Sequence, residues 1–463
     1  MKTVSREKLI VVSNREPYTF KKGRAEKTVG GLVSALDPVM RASKGVWIAS
    51  GSDAGRVMVP PDDPSYTMRL VPLTQRDIEG YYNGYSNRFL WPLCHITLDR
   101  IYLKKSYWQS YKKVNALFAD AIVEEARKKG TRVWLQDYHL AICAAYIKEK
   151  RPDLKLSIFW HIPWPPHDVF RACPQGREIL EGLLANDLIG FQLDSFCRNF
   201  MRCAAMEFGT SVEIKGRYIK YRGHITKVKS FPISVDFEWF ERAALARRSG
   251  RFFERFKKER KLDGVMLGLS VDRLEYTKGI IKSLEAVEFL FAKYPRFKGK
   301  FTFVQIAVPT RKVEPYLSYM ERVRKKAAAL NARYSTADWR PVEYMESRFS
   351  HNDLAALYRG ADFAMISSVY DGMNLVAKEY VSSQVDLKGA LLVSEFAGAA
   401  EDVPGITTIN PYDTESCADS IKEALEADPA KKRKAMGRAR AYVSRNDIYK
   451  WVEDVLGEMK GLG

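Results

Sequence analysis

The sequence predicts an α/β protein of two doubly wound domains, and three observations carry that expectation. Short apolar runs rich in β-formers recur along the chain, and each is followed by a helical pattern. The runs are apolar throughout rather than alternating, as strands buried on both faces of a parallel sheet must be. At 463 residues the chain exceeds one ordinary domain and suits two of about 200 residues each.

In order, "KLIVVS" (8–13) opens the first domain with four consecutive β-prone residues, and "SNREP" follows it. "TVGGLVSAL" then sets Gly30 and Gly31 ahead of a helical stripe of Leu32, Ala35, Leu36, Val39 and Met40. "YYNGYSNRFLWP" (81–92), aromatic and Asn-rich, reads as an irregular segment. "RVWLQ" (132–136) leads into "DYH", and "KLSIFW" (155–160) into "HIPWPP", a loop stiffened by its prolines. "DLIGFQ" (187–192) completes this set. The texture changes at "SFPISVDFEWFERAALARRSGRFFERFKKERK" (230–261), where a Pro turn precedes a highly charged helical segment and marks a boundary near Asp236. The second α/β unit has "GVMLGLS" (264–270) before "VDRLEYTKG" and "FTFVQIA" (301–307) before "VPTR". "DFAMIS" (362–367) then precedes "SVYDGMN", and "GALLVSE" (389–395) is its last run. The expected division is 1–236, 237–445 and a closing helix over 446–463 that returns to the first domain. The two domains are expected to face each other across a cleft at the carboxyl ends of their strands, where such sheets bind ligands.

Composition narrows the function. Apolar residues make up 46% of the chain and aromatics 12%, enough for two cores. With 75 Lys and Arg against 56 Asp and Glu, the formal charge is +19, which suits nucleic acid, anionic surfaces or phosphorylated small molecules. Much of that charge sits in "RRSGRFFERFKKERK" (247–261) and "KKRKAMGRARAYVSR" (431–445). Phe252, Phe253 and Phe256 fall at helical spacing, so both segments read as solvated amphipathic helices. No RNA- or DNA-binding motif accompanies them, and nucleic acid is not the expected partner. The six Cys and six His are scattered without a CxxC pair, so neither a zinc site nor a disulfide framework is indicated. No stretch approaches the roughly 20 apolar residues of a membrane span, and the N-terminal apolar run is too short for a signal peptide. A cytoplasmic, soluble protein is expected.

The polar residues after the strands carry the chemistry. Arg273 and Lys278 beside Gly279 are either solvated loop charge or a clamp for a diphosphate, in which case they stabilise a leaving group without a metal. Gly30 and Gly31 are either a turn or a close approach for a phosphate or sugar at a helix start. Neither GxGxxG nor a Walker loop is present. Asp137 and His139 can cap the next helix, or Asp137 and His161 can bond sugar hydroxyls. Tyr82 and Trp91 are either surface packing or an aromatic wall with polar tips. In "SSVYDGMNLVAKEYVSS" a helix starting near Met373 would point its first N–H groups at an anion, with Leu375 and Glu379 on one face and Asp371 just before it.

Taken together these motifs resemble the trehalose-6-phosphate synthase family, retaining glucosyltransferases of the GT-B fold (glycosyltransferase family 20). The likeness runs in order through "VVSNREP", "YYNGYSN", "WLQDYHL", "HIPWPP", "VDRLEYTKG", "QIAVPTR", "DGMNLVAKEY", "SEFAGAA", "NPYD" and "RNDIYKW". It implies UDP-glucose as donor and glucose 6-phosphate as acceptor, with no metal or other cofactor, and a possible homo-oligomer. By position, it implies that Arg15 and Arg311 bind the acceptor phosphate, that Tyr82 and Trp91 line the acceptor and that Asp137 meets its hydroxyl. Gly31 and His161 would meet the donor, Arg273 and Lys278 its diphosphate, Asp371 its glucose, Glu379 its ribose and Phe349 its uracil. Gly372, Met373, Asn374 and Leu375 would line the donor along the backbone. The family's mechanism is front-face attack without a carboxylate nucleophile, the leaving phosphate helping to take the acceptor proton. In "GVWIASGSDAG" (45–55) Trp47 is present, but Ala49 or Ser50 stands where the family often has a second Trp of the acceptor pocket, and the loop "EPYTFKKGRAEKTVG" is individual. A glucosylglycerol-phosphate synthase using glycerol 3-phosphate is therefore the alternative within the scaffold. A non-catalytic nucleic-acid-binding or regulatory protein is the alternative outside it.

Overall fold

The computed structural model describes all residues except 1–8, 22–23, 28–30, 53, 61–64, 129, 310–313 and 463. It divides into two compact units, Met1–Pro232 with Trp451–Gly463, and Ile233–Lys450.

In the first unit the strands are β1 (Leu9–Val12), the hairpin β2 (Tyr18–Lys21) and β3 (Arg24–Lys27), β4 (Val46–Gly51), β5 (Gly55–Val59), β6 (Tyr66–Pro72), β7 (Arg132–Gln136), β8 (Lys155–Phe159), β9 (Leu188–Phe191), β10 (Val212–Lys215), β11 (Tyr218–Tyr221) and β12 (His224–Ser230). The main sheet runs β10-β11-β12-β9-β8-β7-β1-β4-β6-β5. From β12 through β6 every pairing is parallel, while β5 and the β10–β12 meander are antiparallel. In the second unit the strands are β13 (Met266–Arg273), β14 (Phe301–Val308), β15 (Val342–Met345), β16 (Phe363–Ile366), β17 (Ala390–Ser394) and β18 (Thr407–Ile409). Their order, β15-β14-β13-β16-β17-β18, is the Rossmann order 3-2-1-4-5-6. The order reverses between β13 and β16 here, and between β1 and β7 in the first unit, so these are the two switch points where a ligand finds a crevice.

All eight apolar runs are strands, and their side chains form the two cores: Ile10, Val11, Val12, Val133, Trp134 and Leu135 in one, Phe301, Phe303, Phe363 and Leu392 in the other, all fully buried. Each such side chain contributes about 1.5–3 kcal/mol on burial. Two readings need correction. The segment at 81–92 is not irregular: a wide helix runs from Ile78 to Leu90 and continues as Trp91–Cys94, with the Trp91 N–H donating to the Ser86 carbonyl five residues back. Tyr81, Tyr85 and Phe89, four apart, bury one face of it. Gly84 lets it approach the helix Lys105–Glu125, since a Cβ there would lie 2.6 Å from the Tyr107 ring. Second, β13 extends through Arg273, which the sequence reading had placed in the following loop.

Contacts divide the chain after Pro232 and Lys450, where the sequence suggested 236 and 445. The Asp236 carboxylate caps the helix Phe237–Leu245 by accepting from the Trp239 N–H at 2.9 Å. Ile448 N–H donates to the Val235 carbonyl at 3.0 Å, and Tyr449 OH to Asp236 at 2.9 Å, which keeps 448–449 with the second unit. Trp451 belongs to the first, where its indole N–H donates to the Phe231 carbonyl at 3.1 Å and its ring packs on Trp134 and Phe159. The two basic segments are helices, Arg247–Glu259 and Pro429–Arg445. Among the described residues no helix is long and apolar enough to cross a membrane.

Candidate active site

At the switch point of the second unit, Arg273 ends β13 and its Nη1 lies 2.9 Å from the buried Glu275 carboxylate. The chain then turns through Tyr276–Lys278 to Gly279, whose φ of +65° and missing side chain are both required, because a Cβ would fall 1.9 Å from the Ser367 carbonyl oxygen. This close crossing brings the turn after β13 against the segment after β16. There Lys278 Nζ meets Asp371 Oδ2 at 2.5 Å. The same oxygen accepts from Asn374 Nδ2 at 3.1 Å and Ser368 Oγ at 3.3 Å, and the Asp371 N–H donates to the Phe396 carbonyl at 3.0 Å.

The helix that follows is Leu375–Ser383, so it begins two residues later than the sequence suggested. Asn374 caps it, with φ +76° and its side-chain oxygen accepting from the Ala377 N–H at 3.3 Å. The cap is therefore Asn374 and not Asp371. Gly372 and Met373 are buried in the approach, and Leu375 and Glu379 are half-buried. Tyr358 OH donates to Glu379 Oε2 at 2.8 Å; burial raises this carboxyl above the usual range, and the Tyr358 hydrogen bond and nearby His351 pull the other way. Beneath the helix, Lys378 and Asp402, 1% and 3% exposed, form an ion pair at 2.6 Å. Lys378 also donates to the Ile233 carbonyl at 2.7 Å, and Tyr442 OH to Asp402 at 2.6 Å. Phe349 packs edge-on to Phe252 and Phe256 of the helix Arg247–Glu259, at 6.3 and 6.5 Å.

In the first unit Asp137 directly follows β7 at φ +74°. Its Oδ1 accepts from the backbone N–H of Tyr138 at 3.0 Å and of His161 at 3.1 Å, so it both caps the turn Tyr138–Leu140 and joins the loop after β8. Burial pushes its carboxyl up to about 7 despite these two donors. His161 Nε2 lies 2.9 Å from Gln136 Oε1, and burial pushes the imidazole down to about 3, so it is neutral at physiological pH. Arg15, exposed after β1, donates to Tyr82 OH at 2.8 Å, and the Tyr82 ring stacks on His139 at 5.5 Å. The structure thus joins Asp137 with His161, and Arg15 with Tyr82 and His139. Trp91 is 3% exposed and stacks on His95 at 3.9 Å. Trp47 is wholly buried, its indole N–H donating to Ser13 Oγ at 2.8 Å. Gly31 is the first residue of the helix Gly31–Ser43; Gly30 and Arg311 lie outside the described residues.

Sequence reasoning missed Gln136, Tyr358, Glu275, Asp272 and the Lys378–Asp402 pair. The first two are uncharged partners visible only once the site is assembled. Asp272 falls in "VDRLEYTKG", which the sequence placed after the strand, but β13 carries it into the sheet, where it is buried. Lys378 carried no local signal, since Glu379 follows it directly in "LVAKEYV".

Two parallel-rich sheets, each reversing its order at a switch point, with Arg273 and Lys278 beside one and Asp137 and His161 beside the other, are those of a glycosyltransferase of the two-Rossmann-domain GT-B class. The profile of glycosyltransferase family 20 matches residues 7–461, and the chain belongs to that family. It is 35% identical to the UDP-forming α,α-trehalose-phosphate synthase of Schizosaccharomyces pombe over 98% of this chain and 90% of that one. Its structure is similar to an E. coli chain solved bound with UDP-2-fluoro glucose, with TM-score 0.91 and 29% identity over 98% and 99% of the two chains. It is also similar to a UDP-forming α,α-trehalose-phosphate synthase of Burkholderia xenovorans in complex with glucose-6-phosphate, with TM-score 0.89 and 28% identity over 98% and 100%.

Proposed function

We propose that this protein transfers glucose from UDP-glucose to glucose 6-phosphate with retention, giving α,α-trehalose 6-phosphate and UDP. The observation that carries the reading is the cluster of Lys278, Asp371 and Asn374 at the β13/β16 switch point, beside Arg273. The relatives' activity and the ligands of the two solved structures support it.

In this reading Arg273 and Lys278 hold the diphosphate. Arg supplies a fork of donors and Lys a compact charge, and both gain strength as the leaving oxygen becomes more negative. These two cations do the work that a divalent ion does in other transferases, so no metal is required. Asp371 exchanges its bond to Lys278 for the glucose hydroxyls, Glu379 accepts from the ribose, and Gly372, Met373, Asn374 and Leu375 line the donor. Phe349 meets the uracil, and Gly31 lets the protein backbone approach the donor closely. On the acceptor side Arg15 and Arg311 bind the phosphate, Tyr82 and Trp91 the sugar ring, and Asp137 a hydroxyl. His161, held neutral, bonds a glucose hydroxyl without adding positive charge. No carboxylate is assigned as nucleophile. The acceptor hydroxyl attacks on the face from which UDP leaves, and its proton passes to the departing phosphate oxygen; catalysis rests on positioning and charge stabilisation.

The test is UDP release with a matrix of donors and acceptors, followed by mass and NMR analysis of the product. The expected result is an α,α-linked trehalose 6-phosphate formed equally fast after treatment with a chelator. Turnover only with glycerol 3-phosphate, or with no sugar phosphate at all, overturns the proposal.

A further inference from the structure

We propose that the buried Lys378–Asp402 ion pair is a positioning pair for the donor: it fixes residues 371–375 in the place from which they meet the sugar nucleotide. The inference rests on the donor reading above and extends it to two residues that touch no substrate there. The residues assigned to the donor after β16 lie on two stretches of chain, the bend 371–374 and the helix Leu375–Ser383. The bend is held by the chain that follows β17. Asp371 N–H donates to the Phe396 carbonyl at 3.0 Å, Gly398 N–H to the Asp371 carbonyl at 3.2 Å, and Ala399 N–H to the Met373 carbonyl at 2.8 Å. Asp371 and Ala397 pair as a parallel bridge. The two stretches lie so close that a Cβ on Gly398 would fall 2.2 Å from the Gly372 carbonyl oxygen.

That second stretch continues as the short helix Gly398–Asp402, and its last residue closes a frame. Asp402 meets Lys378 at 2.6 Å, one turn into the donor helix, with side chains 3% and 1% exposed. Each partner has a further anchor: Lys378 Nζ donates to the Ile233 carbonyl at 2.7 Å, and Asp402 accepts from Tyr442 OH at 2.6 Å. At the far end of the donor helix, Arg440 Nη1 donates to the Val381 carbonyl at 3.1 Å. Backbone bonds therefore set the bend against 396–399, and the ion pair sets the helix against 402. A buried ion pair adds little stability over well-packed apolar side chains of similar volume. It does add a fixed distance and direction between two groups, which a contact between methyl groups leaves loose. Donor binding uses that precision. Asp371 and the first N–H groups of the helix come from the two sides that the pair ties together, and a misplacement of about 1 Å in such groups costs on the order of 10²-fold in rate.

The experiment compares the whole wild-type protein with Lys378→Met/Asp402→Leu, in which apolar side chains replace both charges. Urea unfolding, hydrogen exchange of the 371–378 amides without ligand, and initial rates with UDP-glucose and glucose 6-phosphate are measured on both proteins. In a double variant of near wild-type stability, a merely structural pair predicts normal kinetics. The positioning role predicts faster exchange over 371–378 and a loss of about 10–10²-fold in kcat/KM for UDP-glucose, with the KM for glucose 6-phosphate within about twofold. Wild-type donor kinetics in a stable double variant overturn the proposal, as does an equal rise in both Michaelis constants or unchanged exchange over 371–378. If the double variant does not fold, Tyr442→Phe decides. It removes one anchor of Asp402 and leaves the ion pair, so the KM for UDP-glucose should rise a few-fold while that for glucose 6-phosphate stays the same; no change in either overturns the proposal. Failure of the wild type itself to bind UDP-glucose overturns the donor reading, and the inference with it.

Discussion

The two switch points solve different problems with different chemistry. After β13 and β16 the polar side chains are held by opposite charge: Lys278 with Asp371, Arg273 with Glu275, and Lys378 with Asp402 beneath the helix that follows. After β7 and β8 they are held by neutral groups: Asp137 by two backbone N–H groups, and His161 by an amide oxygen. On the proposed function the ion pairs keep charges ready for a phosphate, because an incoming anion can take over one partner. Neutral hydrogen bonds fix the direction of a lone pair or N–H, which is what a sugar hydroxyl requires.

The largest effect is expected where this contrast is most extreme. Lys378→Met leaves Asp402 charged and buried without its ion-pair partner, which costs about 3–5 kcal/mol of stability. The double variant Lys378→Met/Asp402→Leu replaces both charges by apolar groups and should recover most of that loss in urea unfolding. A single variant as stable as the wild type would show that the pair does not hold this helix.

Next in size is Lys278→Ala. If the clamp stabilises the leaving diphosphate, turnover falls by about 10²–10³-fold, equivalent to roughly 2.7–4 kcal/mol. The Michaelis constant for the acceptor should change little. Initial rates of UDP release decide it, and a rate within a few-fold of wild type would remove Lys278 from the chemistry. His161→Gln, which keeps a neutral hydrogen-bonding group, should lose less than Lys278→Ala; the reverse ranking would dissolve the contrast between the two crevices.

How much of this was legible in the sequence follows the same division. Parallel strands buried on both faces are continuous apolar runs, so β1, β7, β8, β9, β13, β14, β16 and β17 could be read directly. Strands such as β10 ("VEIK") and β11 ("YIKY") carry charged residues and are largely or alternately exposed, so they owe their state to pairing with neighbours. The wide helix at Ile78–Leu90 was hidden because Gly80, Asn83, Gly84 and Asn87 are loop-formers locally. Gly84 is there because another helix passes close by, which no local pattern records. At the candidate site, Arg15, Asp137, His161, Lys278 and Asp371 could be found because chemistry collects after strand ends. Asp272 and Lys378 could not, since a charge inside a strand or helix declares its burial only through tertiary packing.

A smaller effect is expected in the pH dependence of stability. Asp137, raised in the fold to about 7 from an ordinary 3.8, contributes stability that is complete below pH 4 and lost as pH rises towards 7. His161, lowered from 6.5 to about 3, contributes the opposite slope: complete above pH 6.5 and lost as pH falls towards 3. The two largely offset between pH 4 and 6.5. Asp137→Asn should therefore unmask a melting temperature that rises with pH over that window, and His161→Gln one that falls. Parallel pH profiles in both variants would mean that other groups dominate.

The smallest effect tests the neutral side alone. Tyr82 stacks on His139 and accepts from Arg15 at 2.8 Å through its hydroxyl. Tyr82→Phe keeps the ring and removes only that acceptor, which is worth about 0.5–1.5 kcal/mol at a solvent-reached position. If the hydroxyl aims the Arg15 guanidinium at a phosphate, the Michaelis constant for glucose 6-phosphate should rise a few-fold, with turnover and the Michaelis constant for UDP-glucose unchanged. Glucose without its phosphate should be used equally poorly by both proteins, because the lost hydrogen bond then has no anion to serve. A change in the donor constant instead would assign Arg15 and Tyr82 to the other substrate.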